Sequence, residues 1–215
     1  MPQLLYIDTA GSQGMAAASV DGTVMGIGHL ADAHEQAAKI NFLIEDVLRQ
    51  ANTDFCNLNG ICVCAGPGSY TGLRVGLSVA KGIAFVRQLP LMLFNTLDLI
   101  AAQLAADTAF ALAIKARNGE FFFASYRQDK KPITAPRHIF EHELGALAGG
   151  LALYTDDELL HGDNKQMLTA NDKMIAAEHW LPLAEERYAL QAFDDLAYSE
   201  PFYLKAAYTT TPRKP

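Results

Sequence analysis

The glycine-rich run AGPGSYTGLRVG, from Ala65 to Gly76, is the feature that most limits how this chain can fold. An apolar stretch at 61–65 precedes the run and predicts a buried strand. An apolar stretch at 73–86 follows it and predicts a helix. A strand, a tight glycine turn and a helix in succession indicate an α/β fold.

Two interpretations of this turn stay open. Backbone N–H groups at the start of a helix hold phosphate in many proteins, so Gly68, Ser69 and Arg74 are candidate contacts for a nucleotide. However, the run lacks the Gly-Lys-Ser/Thr ending of a P-loop, and glycines also occur where a strand turns closely onto a helix. Ser69 and Thr71 are explained equally well as helix caps and as nucleophiles.

The order of predicted elements repeats along the chain. Strands are predicted at 4–7, 16–20, 23–28, 61–65, 91–94, 111–114, 121–126, 134–140 and 151–154, and helices at 34–50, 72–87, 96–106, 141–147, 167–179 and 186–198. A capping box at Asp32–Glu35 is expected to open the first helix. The repeat predicts two related α/β lobes, a first at 1–106 and a smaller one at 107–208, followed by a disordered tail at 209–215.

Composition narrows the class of protein. The three cysteines form no CxxC pair, and no apolar stretch is long enough to span a bilayer, so a cytoplasmic protein with reduced thiols and no membrane contact is expected. The formal net charge is −7, and residues 151–200 contain eleven acidic and three basic side chains. Without a basic stripe, the chain is expected to meet nucleic acid only through another protein.

Two predicted helices have more apolar surface than one core can cover. In the helix at 34–50, Phe42 lies opposite the apolar stripe, among charged residues. The helix at 72–87 has one apolar face at Leu73 and Leu77 and a second, roughly opposite face. Either another part of the chain or a partner must cover the second face. The predicted partner-binding residues are Ala38, Phe42, Glu45, Gly72, Val75, Ser78, Val79, Gly82 and Val86.

Several motifs resemble those of the bacterial TsaB (YeaZ) family. They are Ile7-Asp8-Thr9, the capped helix at His34, the run from Ala65 to Gly76, the stretch Ala80-Lys81-Gly82-Ile83-Ala84, and Asn95-Thr96-Leu97. The resemblance covers the first hundred residues in order and the second half only loosely. Lys115-Ala116-Arg117 stands where the family has Asp-Ala-Arg, and Tyr203-Leu204-Lys205 is similar to the family's Tyr-Leu-Arg.

The resemblance implies an actin/Hsp70/sugar-kinase fold with an RNase H-like sheet in each lobe. It implies a non-catalytic scaffold that acts with a catalytic TsaD-like subunit and a TsaE-like ATPase. Together these proteins transfer a threonylcarbamoyl group to the adenosine next to the anticodon of tRNA. Pairing with TsaD, or with itself as a homodimer, is expected through the helices at 34–50 and 72–87. tRNA is expected to bind only through the complex, and ATP or ADP at the partner interface, near Gly68, Ser69 and Arg74.

The resemblance also predicts that the chain has no metal site and no catalytic residue. The related catalytic family binds a metal through His-x-x-x-His, and Thr96 and Ile100 stand at those positions here. Asp98 is expected to be the acid of a capping box. Asp8 at the end of the first strand is expected to stabilise a turn.

The other reactive residue types have plain structural explanations. The pair His138 and His142 lacks an evident third ligand and is expected to be structural, and Cys62 and Cys64 are expected to be buried thiols. Two enzymatic hypotheses remain as alternatives. One is an actin-like ATPase or phosphotransferase that uses Asp8 and the glycine turn, and the other is a metallopeptidase-like protein of the glycoprotease type.

Overall fold

Two five-stranded mixed sheets organise the computed structural model, which describes residues 1–160 and 164–204. The first sheet has the order β3-β2-β1-β4-β5 and contains β1 (Leu4–Asp8), β2 (Gly14–Val20), β3 (Thr23–Leu30), β4 (Gly60–Gly66) and β5 (Leu91–Asn95). The second has the order β10-β9-β6-β7-β8 and contains β6 (Phe110–Arg117), β7 (Glu120–Tyr126), β8 (Pro132–Phe140), β9 (Ala152–Thr155) and β10 (Lys165–Met167).

The second sheet repeats the pairing of the first. In each sheet the first three strands in sequence pair antiparallel, and the last two run parallel to the first strand. This repeated RNase H-like arrangement is the actin/Hsp70/sugar-kinase fold, as predicted. The predicted strands are all present, with ends shifted by a few residues, and β10 is an additional strand.

Six α-helices accompany the sheets in the described residues: α1 (Gln36–Gln50), α2 (Tyr70–Arg87), α3 (Thr96–Gln103), α4 (Glu141–Ala148), α5 (Ala170–Lys173) and α6 (Ala177–Ala189). Asp32 caps a 3₁₀ turn that leads into α1, because its carboxylate accepts the N–H of His34 at 2.8 Å. The reciprocal half of the predicted capping box is absent, since the Glu35 carboxylate pairs with Lys39 instead. None of the described helices is long and apolar enough to cross a membrane.

The two last predicted helices are wrong. The stretch predicted as one helix at 167–179 contains the end of β10, the four-residue α5 and the start of α6. The helix predicted at 186–198 is the end of α6 followed by irregular chain. Gln191 has a φ of +53°, a left-handed conformation that stops a helix. The predicted tail at 209–215 and Lys205 lie outside the described residues, and the lobe boundary near 106–108 stays a prediction.

β1 separates two apolar cores. Leu5 and Ile7 face the core that α1 and α2 complete on one side of the first sheet. Leu4 and Tyr6 face a core that also contains α3, α6 and the inner face of the second sheet. Within that core the ring of Trp180 packs edge-on against Tyr6, with 5.4 Å between the ring centres. The outer faces of α1 and α2 are therefore on the side of the first sheet that is turned away from the second sheet.

Candidate functional site

The exposed faces of α1 and α2 form one continuous surface, called here the docking surface. Phe42 on α1 is 70% exposed and Val86 on α2 is 75% exposed, which is unusual for apolar side chains on neighbouring helices. The predicted residues Ala38, Glu45, Ser78 and Gly82 are also exposed. Sequence reasoning missed Phe85, which is 74% exposed on α2. Phe85 could have been found from the sequence, because it lies within the helix predicted at 72–87, beside Val86.

The remaining predicted residues have less exposed positions. Val75 and Val79 are half-buried and line an open groove together with Ala37 of α1, so α1 itself covers part of the second apolar face of α2. Gly72 is buried, and a Cβ added there would lie 1.9 Å from the carbonyl oxygen of Thr9. Its role is close packing of α2 against the end of β1.

The polar residues Arg74 and Lys81 on α2 contact the end of the described chain. The ammonium group of Lys81 donates hydrogen bonds to the carbonyl oxygens of Ala197 (3.2 Å) and Ser199 (2.6 Å). The Nε of Arg74 donates to the Tyr203 hydroxyl at 3.0 Å, and its guanidinium lies 4.1 Å from the centre of the Tyr70 ring. One side of α2 is thus covered by residues more than a hundred positions away.

The glycine-rich turn packs closely against the loop after β1. Gly66 has a φ of +104°, and a Cβ on Gly68 would lie 2.4 Å from the carbonyl oxygen of Ala10. Ser69 caps α2, as one interpretation predicted, because its hydroxyl accepts the N–H of Gly72 at 3.2 Å. Its own N–H donates to the Ala10 carbonyl oxygen at 2.7 Å.

A cleft of about 290 Å³ lies between the two sheets. Asp8, Thr96 and Ile100 line it from the first half of the chain, so the two positions where the resemblance expects histidine in a catalytic member share one cleft with Asp8. Asp8 stabilises a turn, as predicted, because its Oδ1 accepts the N–H of Ala10 at 2.8 Å. Burial raises the pKa of Asp8 above its ordinary value.

Lys173, which lines the cleft, and Lys115 on β6 beside it are both paired with aspartates. Lys173 pairs with Asp156 at 3.1 Å, and Lys115 pairs with Asp157 at 2.9 Å. The backbone N–H of Lys115 also donates to Asp156 at 2.7 Å. Lys115 therefore ties β6 to the loop after β9. A phosphate chain in this cleft would have to break these pairs to gain a cationic partner.

The residues considered for metal or acid–base chemistry are structurally engaged. His138 pairs with Glu120 at 2.8 Å, whereas the ring of His142 stacks on Phe140. No cluster of three or more potential ligands for a metal occurs in the described parts of the chain. The capping role predicted for Asp98 is wrong, because its carboxylate accepts the Tyr126 hydroxyl at 2.8 Å. This contact draws the side chain away from the start of α3.

The buried thiols match their prediction. Cys62 and Cys64 are completely buried in β4, and burial raises the pKa of both. The sulfur of Cys64 lies 3.2 Å from the Thr96 hydroxyl, immediately behind the cleft. Burial with a raised pKa favours the unreactive thiol form, and Cys56 alone among the three cysteines is exposed.

Comparisons with known proteins place this chain in a family. A family model described as TsaD, tRNA N6-adenosine threonylcarbamoyltransferase, matches residues 29–177. A relative in Escherichia coli, the tRNA threonylcarbamoyladenosine biosynthesis protein TsaB, is 28% identical over 94% of each chain. The chain belongs to the TsaD family, as a member of its TsaB (YeaZ) type.

Other relatives agree with this assignment. A tRNA N6-adenosine threonylcarbamoyltransferase of Geobacter sp. is 39% identical over 82 residues, which are 37% of this chain and 24% of that protein. Two solved structures from Pseudomonas aeruginosa share the fold. One, described as similar to the peptidase YEAZ, has a TM-score of 0.79 at 21% identity over 95% of this chain and 100% of that chain. The other, YeaZ, has a TM-score of 0.75 at 22% identity over 94% and 100%.

Proposed function

We propose that this chain is a non-catalytic subunit in the biosynthesis of tRNA threonylcarbamoyladenosine, and that its docking surface binds a catalytic TsaD-like subunit. The observation that carries the proposal is the exposed apolar surface of Phe42, Phe85 and Val86 on two adjacent helices. Exposed apolar patches of this kind mark protein interaction sites. The name of the E. coli relative supports the pathway.

The TsaD-like partner is supported by the family itself. The family model covers α1 and α2, so a TsaD protein carries equivalent helices. Two such helix pairs can pack against each other as a four-helix contact, in which small residues permit close approach of the helix axes. Gly82 lies on the exposed face of α2, and no described residue outside the α2 backbone comes within 4 Å of the position of a Cβ.

A scaffold role is supported by the state of the cleft. Thr96 and Ile100 offer no imidazole to a metal, and Lys115 and Lys173 are held by aspartates. These features disfavour the ATPase and the metallopeptidase hypotheses. Turnover of ATP or peptide by the purified chain, lost in Asp8→Asn, would support an enzyme instead.

The decisive experiment compares two glycines on different helices. Gly82 on α2 and Gly145 on α4 are both exposed, and beyond the backbone of its own helix a Cβ at either position meets no atom of the described residues within 4 Å. Glutamine at either position improves helix propensity by up to about 1 kcal/mol, so both variants are expected to fold. Gly82→Gln is expected to weaken binding to the TsaD-like protein of the same organism about tenfold or more in a calorimetric titration. Gly145→Gln is the control and should bind like the wild type. Equal binding by all three proteins would contradict the proposed surface.

The other components follow from the same proposal. The isolated chain forms a homodimer through the docking surface, so Gly82→Gln should shift its sedimentation toward monomer. A TsaE-like ATPase joins the complex, and tRNA binds the isolated chain weakly because the chain is acidic.

ATP or ADP lies at the partner interface beside Gly68, Ser69 and Arg74. A nucleotide titration of the complex should therefore lose its signal in Arg74→Ala.

A further inference from the structure

The loop at residues 195–199 displays one aromatic side chain on a rigid support. Tyr198 is 86% exposed, more than Phe42, Phe85 or Val86. The carboxylate of Asp195 accepts the N–H groups of Ala197 and Tyr198, both at 2.8 Å. The N–H of Ser199 donates to the Asp195 carbonyl oxygen at 3.1 Å, and the Ser199 hydroxyl donates to the same oxygen. The backbone on both sides of the exposed ring is thus fixed before any partner arrives.

The same loop is fastened to α2. The Lys81 ammonium bridges the carbonyl oxygens of Ala197 and Ser199, the two residues that flank Tyr198. Lys81 lies one helical turn before Phe85, so the backbone of Tyr198 is anchored beside the exposed end of α2. The docking surface therefore continues from α1 across α2 onto the 195–199 loop.

We propose that the 195–199 loop is the third element of the docking surface, and that Tyr198 is an anchor that selects the TsaD-like subunit over a second copy of this chain. The proposal rests on the proposed function. A preorganised, exposed tyrosine is the type of side chain that contributes most to binding at interfaces, since little conformational entropy is lost when it is buried.

Charge favours a partner of different sequence. The exposed carboxylates of Asp195 and Glu200 flank Tyr198, so the complementary surface should be basic. The helices of a second copy offer basic groups that are already engaged: on α1 Lys39 pairs with Glu35 and Arg49 with Asp46, and on α2 the Nε of Arg87 donates to the carbonyl oxygen of Phe55 at 3.1 Å. The loop therefore adds more to binding of the TsaD-like subunit than to self-association.

The test measures binding to the immobilised TsaD-like protein of the same organism and, separately, self-association by sedimentation. Tyr198→Ala is expected to weaken binding to the TsaD-like protein about tenfold, whereas Tyr198→Phe keeps the ring and should stay within about twofold of the wild type. Self-association of Tyr198→Ala should weaken much less, staying within about twofold of the wild type. Ile133→Ala, at a 56% exposed apolar residue on β8, is the matched control and should change neither measurement.

Lys81 is a positioning residue in this proposal. Lys81→Met removes the bridge to the loop and should weaken binding to the TsaD-like protein. When Lys81→Met is combined with Tyr198→Ala, the loss of binding should be little larger than for Tyr198→Ala alone, because both changes remove the same contribution of the Tyr198 ring. A fully additive double variant would show that Lys81 acts on binding by another route and would overturn its positioning role.

The outcomes separate the two proposals. If the wild type does not bind the TsaD-like protein, both proposals fail. If Gly82→Gln abolishes binding while Tyr198→Ala binds like the wild type, the docking surface stands and the loop is excluded from it. If Tyr198→Ala weakens self-association as much as binding to the TsaD-like protein, the anchor does not select between partners and the inference is overturned.

Discussion

Two glycines of α2 should respond in opposite directions to the same substitution. At Gly72 an alanine Cβ would lie 1.9 Å from the Thr9 carbonyl oxygen and 3.1 Å from Oε1 of Gln36. Because the closest atom belongs to the backbone, no side-chain rotation relieves the contact, and such overpacking costs about 1–3 kcal/mol, partly offset by helix propensity. At Gly82 the new methyl group meets nothing within 4 Å, so alanine should stabilise the helix by about 1 kcal/mol.

Thermal unfolding followed by circular dichroism can resolve this difference. A 1.9 Å contact with backbone belongs at the upper end of the range for overpacking, about 3 kcal/mol, so an offset of about 1 kcal/mol leaves a net loss of about 2 kcal/mol for Gly72→Ala. With a gain of about 1 kcal/mol for Gly82→Ala the two variants differ by about 3 kcal/mol, and at about 2–4 °C for each kcal/mol they should melt roughly 6–12 °C apart. If Gly72→Ala melts at or above the wild-type temperature, the proposed packing of α2 on Thr9 is wrong. If Gly82→Ala melts lower, that position is not open in solution.

Two further predictions concern buried groups. Burial raises the pKa of Asp8 in the folded state, so its contribution favours folding below the unfolded-state pKa of about 3.9 and is lost as the pH rises through the folded-state value. Asp8→Asn should therefore raise the urea midpoint at pH 7 and lose this advantage near pH 4; an equal effect at both pH values would contradict the reasoning. In a thiol titration with a chromogenic disulfide, the native protein should react rapidly at Cys56 alone, and all three thiols should react after unfolding in guanidinium. Rapid reaction of Cys62 or Cys64 in the native protein would show that β4 opens.

The first half of the chain could be predicted well because local signals mark nearly every boundary. The turn at Asp21-Gly22, the cap at Ser69 and the cap at Asn95 each have a hydrogen-bonding or conformational reason that acts within a few residues. The second half has fewer such signals. The region at 165–189 contains a short strand and two helices in succession. Whether its first residues form a strand depends on pairing with another part of the chain, as β10 pairs with β9. Sequence periodicity therefore assigned one helix where the chain forms a strand and two helices.

The docking surface could be predicted only in part, for the same reason. Phe42 and Val86 are exposed because each lies on the side of its helix that faces away from the core. The residue spacing along the helix is enough to predict this. The contacts of Arg74 with Tyr203 and of Lys81 with Ser199 join residues 129 and 118 positions apart. No local pattern reports such contacts, so the sequence does not predict what covers the polar residues Arg74 and Lys81 of α2. The 195–199 loop was missed as well, since Tyr198 matters only once its backbone is placed beside α2.

The position of α2 connects the cleft to the docking surface. Thr9 follows Asp8 at the end of β1, and its hydroxyl donates a hydrogen bond to the carbonyl oxygen of Gly72 at 2.7 Å. Gly76, one turn later, also lies against the Thr9 side chain. This packing is separate from the ion pair that Lys173 forms with Asp156 in the cleft. The packing of Gly72 and Gly76 on Thr9 fixes the distance between α2 and the first sheet. It therefore also fixes the position of Phe85 and Val86 relative to Phe42. Gly72 and Gly76 are thus explained by this close packing on Thr9, which under the proposed function holds the docking surface in place.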